Sequence, residues 1–154
     1  MPPAAKPVPE GYHAITPYLV VKNGVQAIDF YKKIFDATEV MRMPMPDGRI
    51  GHAELKIGDS YIMLADEFPE RGHVAPQTLG NSTVGIVVYV DDCDATYKKS
   101  IDAGASVLQP IQDQFHGDRS GTVQDPFGHK WTIATHKEDV APEEMKKRMA
   151  AMKG

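Results

Sequence analysis

Cysteine is almost absent from the sequence, and long hydrophobic runs are missing. Cys93 is the single cysteine in 154 residues, which excludes an internal disulfide and a paired-cysteine metal knuckle. The longest apolar run, residues 86–90, is far shorter than the roughly 20 residues that a membrane-spanning helix needs. The first residues also lack the apolar core of a signal peptide. We therefore expect a cytoplasmic protein that does not contact membranes.

Basic residues are in slight deficit. The chain has 17 lysines and arginines against 21 aspartates and glutamates, so it lacks the basic excess of nucleic-acid-binding proteins. The P-loop, the dinucleotide fingerprint, the nucleophile elbow and the HExxH motif are also missing. Hydrophobic residues make up 42% of the chain and charged residues 25%, as in an ordinary globular protein. We expect a small-molecule partner and no nucleic acid.

Regular patterns begin after a proline-rich arm at residues 1–11, which we expect to be poorly ordered. Residues 14–21 alternate as a strand does, and residues 25–37 carry apolar side chains at helical spacing. Turn signals at residues 47–48 and 58–59 then divide residues 38–66 into three strands. Residues 12–80 therefore predict a βαβββ module.

The second half repeats this order. Residues 83–90 favour a strand, residues 91–105 a helix and residues 106–135 three more strands, which predicts a second βαβββ module over residues 81–137. Tyr31 and Tyr97 both precede two lysines and lie 66 residues apart, as expected of an internal duplication. Residues 138–154 predict a helical tail whose stripe of methionines, Met145, Met149 and Met152, packs on the domain or on a dimer mate.

The turn signal near the end of the second module gives two more expectations. Residues 125–128 read DPFG, with proline and glycine at the positions that a tight turn prefers. His129 follows this turn and is expected at the surface or at the rim of a site. Cys93 falls in the first turn of the predicted helix, where we expect it to be packing material.

Four motifs resemble those of the vicinal oxygen chelate superfamily, which includes glyoxalase I, bleomycin-resistance proteins, fosfomycin-resistance enzymes and extradiol dioxygenases. They read ITPYLVV at residues 15–21, AIDFYKKIF at 27–35, GDSYIMLAD at 58–66 and DPFGHKWTIATH at 125–136. Within the superfamily, residues 15–19 and 117–131 are similar to the PhnB-like branch. The resemblance implies an α+β fold in which two βαβββ modules form a cupped mixed sheet around a shared cavity, often completed in a homodimer.

The resemblance also implies positions for a metal site. Metal-dependent members of the superfamily take ligands from the first and last strands of each module, and these positions carry over to Thr16, Met63, Gly85 and Thr132. If the register slips by one residue, Ile62 replaces Met63. The same carry-over puts Trp131 on the helix-packed face, in the core, because neighbouring residues of a strand alternate between its two faces. Zinc, nickel, manganese and iron prefer imidazole, carboxylate or thiolate, so this set does not suit them. We expect no metal and no other cofactor.

His52 and Glu54 form the most chemically suggestive pair. They lie two residues apart on a predicted strand and so share a face, while Ala53, Leu55 and Ile57 form the opposite, apolar face. On the cavity side they can act as a general acid and base. On an exposed sheet face they are ordinary solvated side chains.

Other polar residues extend this candidate site. Tyr18 shares a face with Thr16, and Tyr89 shares one with Gly85, so that two phenols and Met63 outline an apolar pocket with polar tips. His116, Asp118 and Arg119 are expected on a polar loop over the mouth of the second module. There Arg119 can hold an anionic group, or the loop merely supplies charge for solubility.

Two classes of function remain open. A binding protein that holds a small organic molecule needs neither metal nor catalytic groups, and it fits the missing ligand set. The alternative is an enzyme of the same superfamily, of lyase, isomerase or dioxygenase type. It would use His52 and Glu54 as acid and base, or it would bind a metal through displaced ligands such as His52, Glu54 and His116.

Overall fold

The computed structural model describes residues 4–152, and the chain separates into two compact units, residues 1–81 and 82–154. Each unit carries one βαβββ module, so the predicted α+β fold with two such modules is confirmed. Residues 1–3 of the predicted arm and residues 153–154 of the predicted tail lie outside the described residues. We call the two units the first and second modules and describe each by itself.

The first module contains one four-stranded sheet and one long helix. Its elements are β1 (Tyr18–Val21), α1 (Gly24–Phe35), β2 (Thr38–Pro44), β3 (Ile50–Ile57), β4 (Ser60–Asp66) and the short helix α2 (Pro76–Leu79). The strand order is β1-β4-β3-β2, with β1 parallel to β4 and the other pairs antiparallel. Helix α1 begins where the Asn23 side chain accepts the Gln26 N–H and ends at Asp36, whose φ of 53° is left-handed.

Helix α1 and the inner face of this sheet form the core of the first module. Ala53 and Leu55 are fully buried on β3, as their alternation with His52 and Glu54 predicted. The buried Asp66 carboxylate accepts the backbone N–H groups of Gly24 and Ile50, which ties the start of α1 to the start of β3. With the apolar face of β3 fixed inward, its polar alternate residues face outward.

Strand β1 is shorter than predicted. The pattern began at residue 14, but the strand begins at Tyr18, immediately after Pro17, whose carbonyl still accepts the Met63 N–H. Proline has no N–H to donate to a ladder, which accounts for the late start at this edge of the sheet. Ile15, which the pattern included in the strand, precedes it and is 87% exposed.

The second module repeats the architecture. It comprises β5 (Gly85–Tyr89), α3 (Cys93–Asp102), β6 (Ser106–Asp113), β7 (Asp118–Gln124), β8 (Lys130–His136) and the tail helix α4 (Pro142–Ala151). The strand order is β5-β8-β7-β6, again with one parallel pair, β5 with β8. Cys93 is the first residue of α3 and is buried as a free thiol, which confirms its expected packing role.

The turn at residues 125–129 is organised by one carboxylate. The buried Asp125 side chain accepts the backbone N–H groups of Phe127 and His129, and it also accepts the indole N–H of Trp131 at 2.9 Å. Gly128 takes a φ of 92°, which the turn requires. Trp131 is 1% exposed, so its predicted place in the core is confirmed.

The tail helix is present as predicted, but polar contacts hold it. No residue of α4 is fully buried. Met145 is half-buried, but Met149 and Met152 are exposed, so most of the methionine stripe does not pack on the described part of the chain. Arg148 instead donates to the Phe115 carbonyl and to the Glu138 carboxylate. Over residues 4–152, no helix is both long and apolar enough to cross a membrane.

Candidate active site

Four polar side chains of the first module form one continuous chain of hydrogen bonds. The Tyr12 hydroxyl donates to Glu54, and the His52 Nε2–H donates to the other Glu54 oxygen at 2.8 Å. The Tyr18 hydroxyl lies 2.9 Å from His52 Nδ1 and donates to it when the imidazole is neutral. We call Tyr12, Tyr18, His52 and Glu54 the first-module cluster.

The sheet register places these groups on its outer face. Met63 on β4 pairs with Tyr18 on β1 and with Glu54 on β3, so the three residues form one row across three strands. His52 lies two residues before Glu54 and shares its face. Ile62, the alternative to Met63, is buried on the opposite, helix-packed face. The cluster thus depends on the strand register together with Tyr12, which precedes the sheet.

The hydrogen bonds fix the protonation states in this cluster. The bond from Tyr12, and after it the bond from His52, hold the pKa of Glu54 below its usual range. Burial and then the negative charge of Glu54 raise the pKa of Tyr18. Burial and the hydrogen bond to Glu54 raise the pKa of Tyr12 in the same way. At neutral pH the cluster therefore contains one carboxylate and two protonated phenols.

A pocket of about 250 Å³ lies beside the cluster. Tyr18 and His52 belong to both, so the polar chain ends at the wall of the pocket. The remaining lining residues are Met43, Pro44, Met45, Gly51, Ala65, Phe68, Arg71 and His73. Thioether, aromatic and small side chains thus form most of the wall, and basic groups stand at its polar positions, as in many small-molecule sites.

Several of these residues have no recognisable signal in the sequence. Tyr12 reaches Glu54 across 42 positions of sequence and stacks on Tyr61 with ring centroids 4.1 Å apart. No local pattern predicts such a contact. Arg71 and His73 follow β4 in a segment without strand or helix periodicity, where the only signal was a run of aromatic and basic residues next to proline and glycine.

The second module contains a comparable arrangement around Asp118. This carboxylate accepts the Tyr89 hydroxyl at 2.8 Å and lies 2.7 Å from His136 Nδ1, with His116 Nδ1 at 3.8 Å. His136 Nε2 lies 2.7 Å from Asp139, so the imidazole stands between two carboxylates. We call Tyr89, His116, Asp118 and His136 the second-module cluster. His136, the last residue of β8, is thus part of it.

Charge pairing also dominates the electrostatics of the second-module cluster. Burial alone would raise the pKa of Asp118, but the hydrogen bonds from His136 and Tyr89 outweigh it and hold that pKa below its usual range. The bonds to Asp118 and then to Asp139 raise the pKa of His136. The bond to Asp118 also raises the pKa of Tyr89.

Arg119 occupies a different place from the one expected. It lies on strand β7, next to Asp118, which opens that strand, so the prediction of a loop was wrong for both residues. Its guanidinium forms two bonds to Asp94, at 2.8 and 2.9 Å, and a longer one to Asp113. Because two carboxylates already neutralise Arg119, we leave it out of the proposed binding residues.

The family-implied metal positions do not form a ligand set. Thr16 precedes β1, Met63 lies within the row on β4, and Gly85 opens β5 without a side chain. Thr132 forms a hydroxyl–hydroxyl hydrogen bond with Thr122 at 2.9 Å. Two hydroxyls, a thioether and a glycine do not suit a divalent transition metal. In the part of the chain that is described, no three His, Cys, Asp or Glu side chains are grouped to hold an ion.

Comparison with known families assigns the fold. The model of the Glyoxalase/Bleomycin resistance protein/Dioxygenase superfamily matches residues 12–133, which span the first βαβββ module and the second as far as the middle of β8. The chain belongs to this superfamily. The assignment agrees with the motifs that carry the resemblance, and it extends to neither a reaction nor a ligand, because one fold serves many functions.

The chain has relatives in bacteria and in a plant. The chain is 40% identical over 141 residues to an uncharacterised protein of Mycobacterium tuberculosis, covering 90% of this chain and 83% of that one. It is 28% identical over 124 residues to an uncharacterised protein of Arabidopsis thaliana, covering 76% and 74%.

Solved structures of the superfamily share the fold. TioX from Micromonospora is 28% identical, with a TM-score of 0.63, covering 80% of this chain and 98% of that one. A PhnB protein from Bacillus cereus has a TM-score of 0.65 at 18% identity, covering 80% and 99%. The fosfomycin resistance protein FosX of Listeria monocytogenes, solved with Mn(II) and sulfate, has a TM-score of 0.62 at 18% identity, covering 89% and 97%. The last two similarities concern the fold alone.

Proposed function

We propose that this protein binds a small organic molecule in the pocket of the first module and does so without the transition metal that many members of its superfamily use. The observation that carries the proposal is the hydrogen-bond chain of the first-module cluster, which ends at the wall of an apolar pocket. Such a wall supplies apolar contact, while Tyr18 and His52 supply the few polar groups that orient a ligand.

The protonation states favour binding over acid–base catalysis. A general base needs a pKa near the working pH and a free lone pair directed at the substrate. Glu54 has a lowered pKa and already accepts two hydrogen bonds, and Tyr18 has a raised pKa. These groups suit hydrogen bonding to a ligand better than proton abstraction from it.

One observation favours an enzyme as the second candidate. Glu54, His52 and Tyr18 are hydrogen-bonded in series, so that the carboxylate orients the imidazole and the imidazole contacts the phenol at the pocket. In this alternative His52 and Glu54 act as acid and base, and the hydrogen bond with Tyr18 holds the imidazole at the pocket wall. The displaced metal site through His52, Glu54 and His116 has no support from a ligand grouping among the described residues.

The proposal also includes the branch of the superfamily and the cellular location of the protein. We place the protein in the PhnB-like branch because of the motif at residues 117–131. We also place it in the cytoplasm, where its free Cys93 stays reduced.

A ligand screen with a matched pair of variants tests the proposed function. Three forms of the protein are screened by ligand-observed NMR and then by calorimetry: wild type, Glu54→Gln and the control Glu39→Gln. Glu39 pairs with Lys32 and Arg42, away from the pocket. We expect a bound compound to be recovered chemically unchanged. Glu54→Gln should change its affinity by about 1–3 kcal/mol, because the bonds that orient His52 and Tyr18 are altered. Glu39→Gln should match wild type.

Two different results would contradict the proposal of a metal-free binding protein. Conversion of the compound, with a rate that falls roughly 10²-fold in Glu54→Gln at nearly unchanged affinity, would establish the enzyme instead. Metal analysis of protein purified without a histidine tag covers the remaining case. One tightly bound transition metal per chain, lost in His52→Ala, would overturn the metal-free proposal.

A further inference from the structure

The lining of the first-module pocket contains basic side chains and lacks acidic ones. Arg71, His73 and His52 line it, and none of its lining residues is a carboxylate. Arg71 is exposed, and no carboxylate among residues 4–152 forms an ion pair with it. Glu67, which lies nearby in sequence, instead uses its carboxylate to accept the Ala75 N–H and the Thr78 hydroxyl.

The other arginines of the described chain show how unusual Arg71 is. Arg42, Arg49, Arg119 and Arg148 each contact at least one carboxylate within 3.3 Å. Arg49 also lies over the Phe68 ring, with its guanidinium carbon 4.3 Å from the centroid, and it is bonded to Asp47. Arg71 contacts the same ring at 5.5 Å and leaves its hydrogen-bond donors for another partner.

The backbone holds Arg71 and His73 in place. Phe68 and His73 exchange two backbone hydrogen bonds, at 2.7 and 3.2 Å, which close the loop between them. Within the loop, a single 3₁₀ turn, Pro69–Arg71, ends at Gly72, whose φ of 77° a larger residue would rarely adopt. Because the loop is closed on itself, the two basic side chains leave the backbone from fixed points, which lowers the entropic cost of binding.

We propose that the ligand of this pocket is a small organic anion with an apolar body, whose acidic group is held by Arg71 with help from His73. This inference rests on the proposed binding function and specifies its ligand class. Guanidinium groups bind carboxylate, phosphate or sulfonate oxygens through paired, charge-assisted hydrogen bonds. The thioethers of Met43 and Met45 and the ring of Phe68 contact the apolar body.

Volume and the polar wall limit the ligand further. Drug-sized molecules occupy pockets of roughly 300–1,000 Å³. A pocket of about 250 Å³ therefore fits a smaller molecule, of the size of a substituted aromatic or branched aliphatic acid. While the Tyr18 proton is directed at His52, the phenol oxygen still has lone pairs, so a ligand hydroxyl or N–H can donate to it.

Matched acid and amide probes test the inference. Benzoate, phenylacetate and isovalerate are compared with benzamide, phenylacetamide and isovaleramide by NMR titration of the full chain. We expect each acid that binds to bind more tightly than its amide and to lose affinity as salt is added, because salt screens exposed charges. Arg71→Gln should weaken binding of the acid about tenfold or more and leave the amide unchanged.

Arg42→Gln serves as the matched control, because it removes the same charge from β2, outside the pocket lining. It should leave every affinity within twofold of wild type. The anion inference would be refuted if acids and amides bound equally well and if Arg71→Gln kept this binding. Loss of the same binding in His52→Ala would then retain the proposed binding function. Failure of all six probes to perturb the pocket residues at millimolar concentration would count against both.

Discussion

Glu54 is the residue on which the first-module cluster depends. Its carboxylate accepts hydrogen bonds from Tyr12 and from His52, and these two bonds hold its pKa below the ordinary value. A carboxyl group with a lowered folded-state pKa stabilises the fold at pH values above its unfolded pKa, which is about 4.3 for glutamate. That stabilisation disappears as the pH falls through the folded-state pKa.

Tyr12→Phe should therefore reduce the part of the stability that comes from ionised Glu54 and that the wild type loses at acid pH. Without the phenol donor, we expect the Glu54 pKa to move up toward about 4.3 and the free energy of unfolding at neutral pH to fall by about 1 kcal/mol. Carbon-detected NMR titration of Glu54 and urea unfolding at several pH values provide the measurements. Tyr61→Phe is the control, since that ring stacks on Tyr12 outside the cluster. An unchanged Glu54 pKa in Tyr12→Phe would contradict the assignment.

At the scale of elements, the second-module cluster joins the end of β8 to the start of β7 and to the tail. His136 closes β8 and bonds to Asp118 at the start of β7 and to Asp139 ahead of α4. Each ring nitrogen of His136 contacts a carboxylate, so both nitrogens must donate a hydrogen bond. The contact is therefore strongest when His136 is a doubly protonated imidazolium. The groups that face it in this cluster are Asp118, Asp139 and, around Asp118, His116 and Tyr89.

His136→Gln should remove a pH-dependent part of the stability. Because the folded-state pKa of His136 is raised, its contribution is complete below the unfolded value of about 6.5 and is lost as the pH rises through the folded-state pKa. The wild type should therefore lose more stability than the variant from pH 6 upward, measured by chemical unfolding. His13→Gln, an exposed histidine of the first module, is the control. Parallel pH profiles for His136→Gln and wild type would show that the contact has no energetic role.

At the scale of the whole molecule, we expect a homodimer. Strands β5 and β6 are the edges of the second sheet, and they carry exposed apolar side chains, among them Val87, Tyr89, Val107 and Leu108. Exposed edge strands with apolar residues favour pairing with another chain. The exposed methionines of α4 provide a further apolar surface.

Light scattering on dilute protein checks this expectation. Leu108→Lys, which places a charge on the β6 edge, should shift the protein toward the monomer. Leu79→Lys changes an equally apolar and more exposed residue of the first module and should leave the mass of the particle unchanged. A wild-type monomer that persists well above micromolar concentration would refute the homodimer.

The sequence alone determined the order of the elements and the orientation of their faces. Period-two alternation around His52 and Glu54 placed both on the outer face of β3. The family motif at residues 125–136, together with strand alternation, placed Trp131 in the core. These properties follow from local geometry, because a strand or helix imposes its repeat on whatever sequence it contains. The edge position of β1 was likewise foreseeable, because Pro17 cannot complete a ladder.

Only the tertiary structure decided which polar groups meet. Tyr12 reaches Glu54 and Arg119 reaches Asp94 because separate segments of the chain pack side by side, and no periodicity encodes such pairs. The same holds for Arg71, which lines a pocket only because the loop after β4 closes against the sheet. Periodicity determines the face on which a side chain lies, whereas its hydrogen-bond partners depend on strand register and loop closure, which arise only when the chain folds.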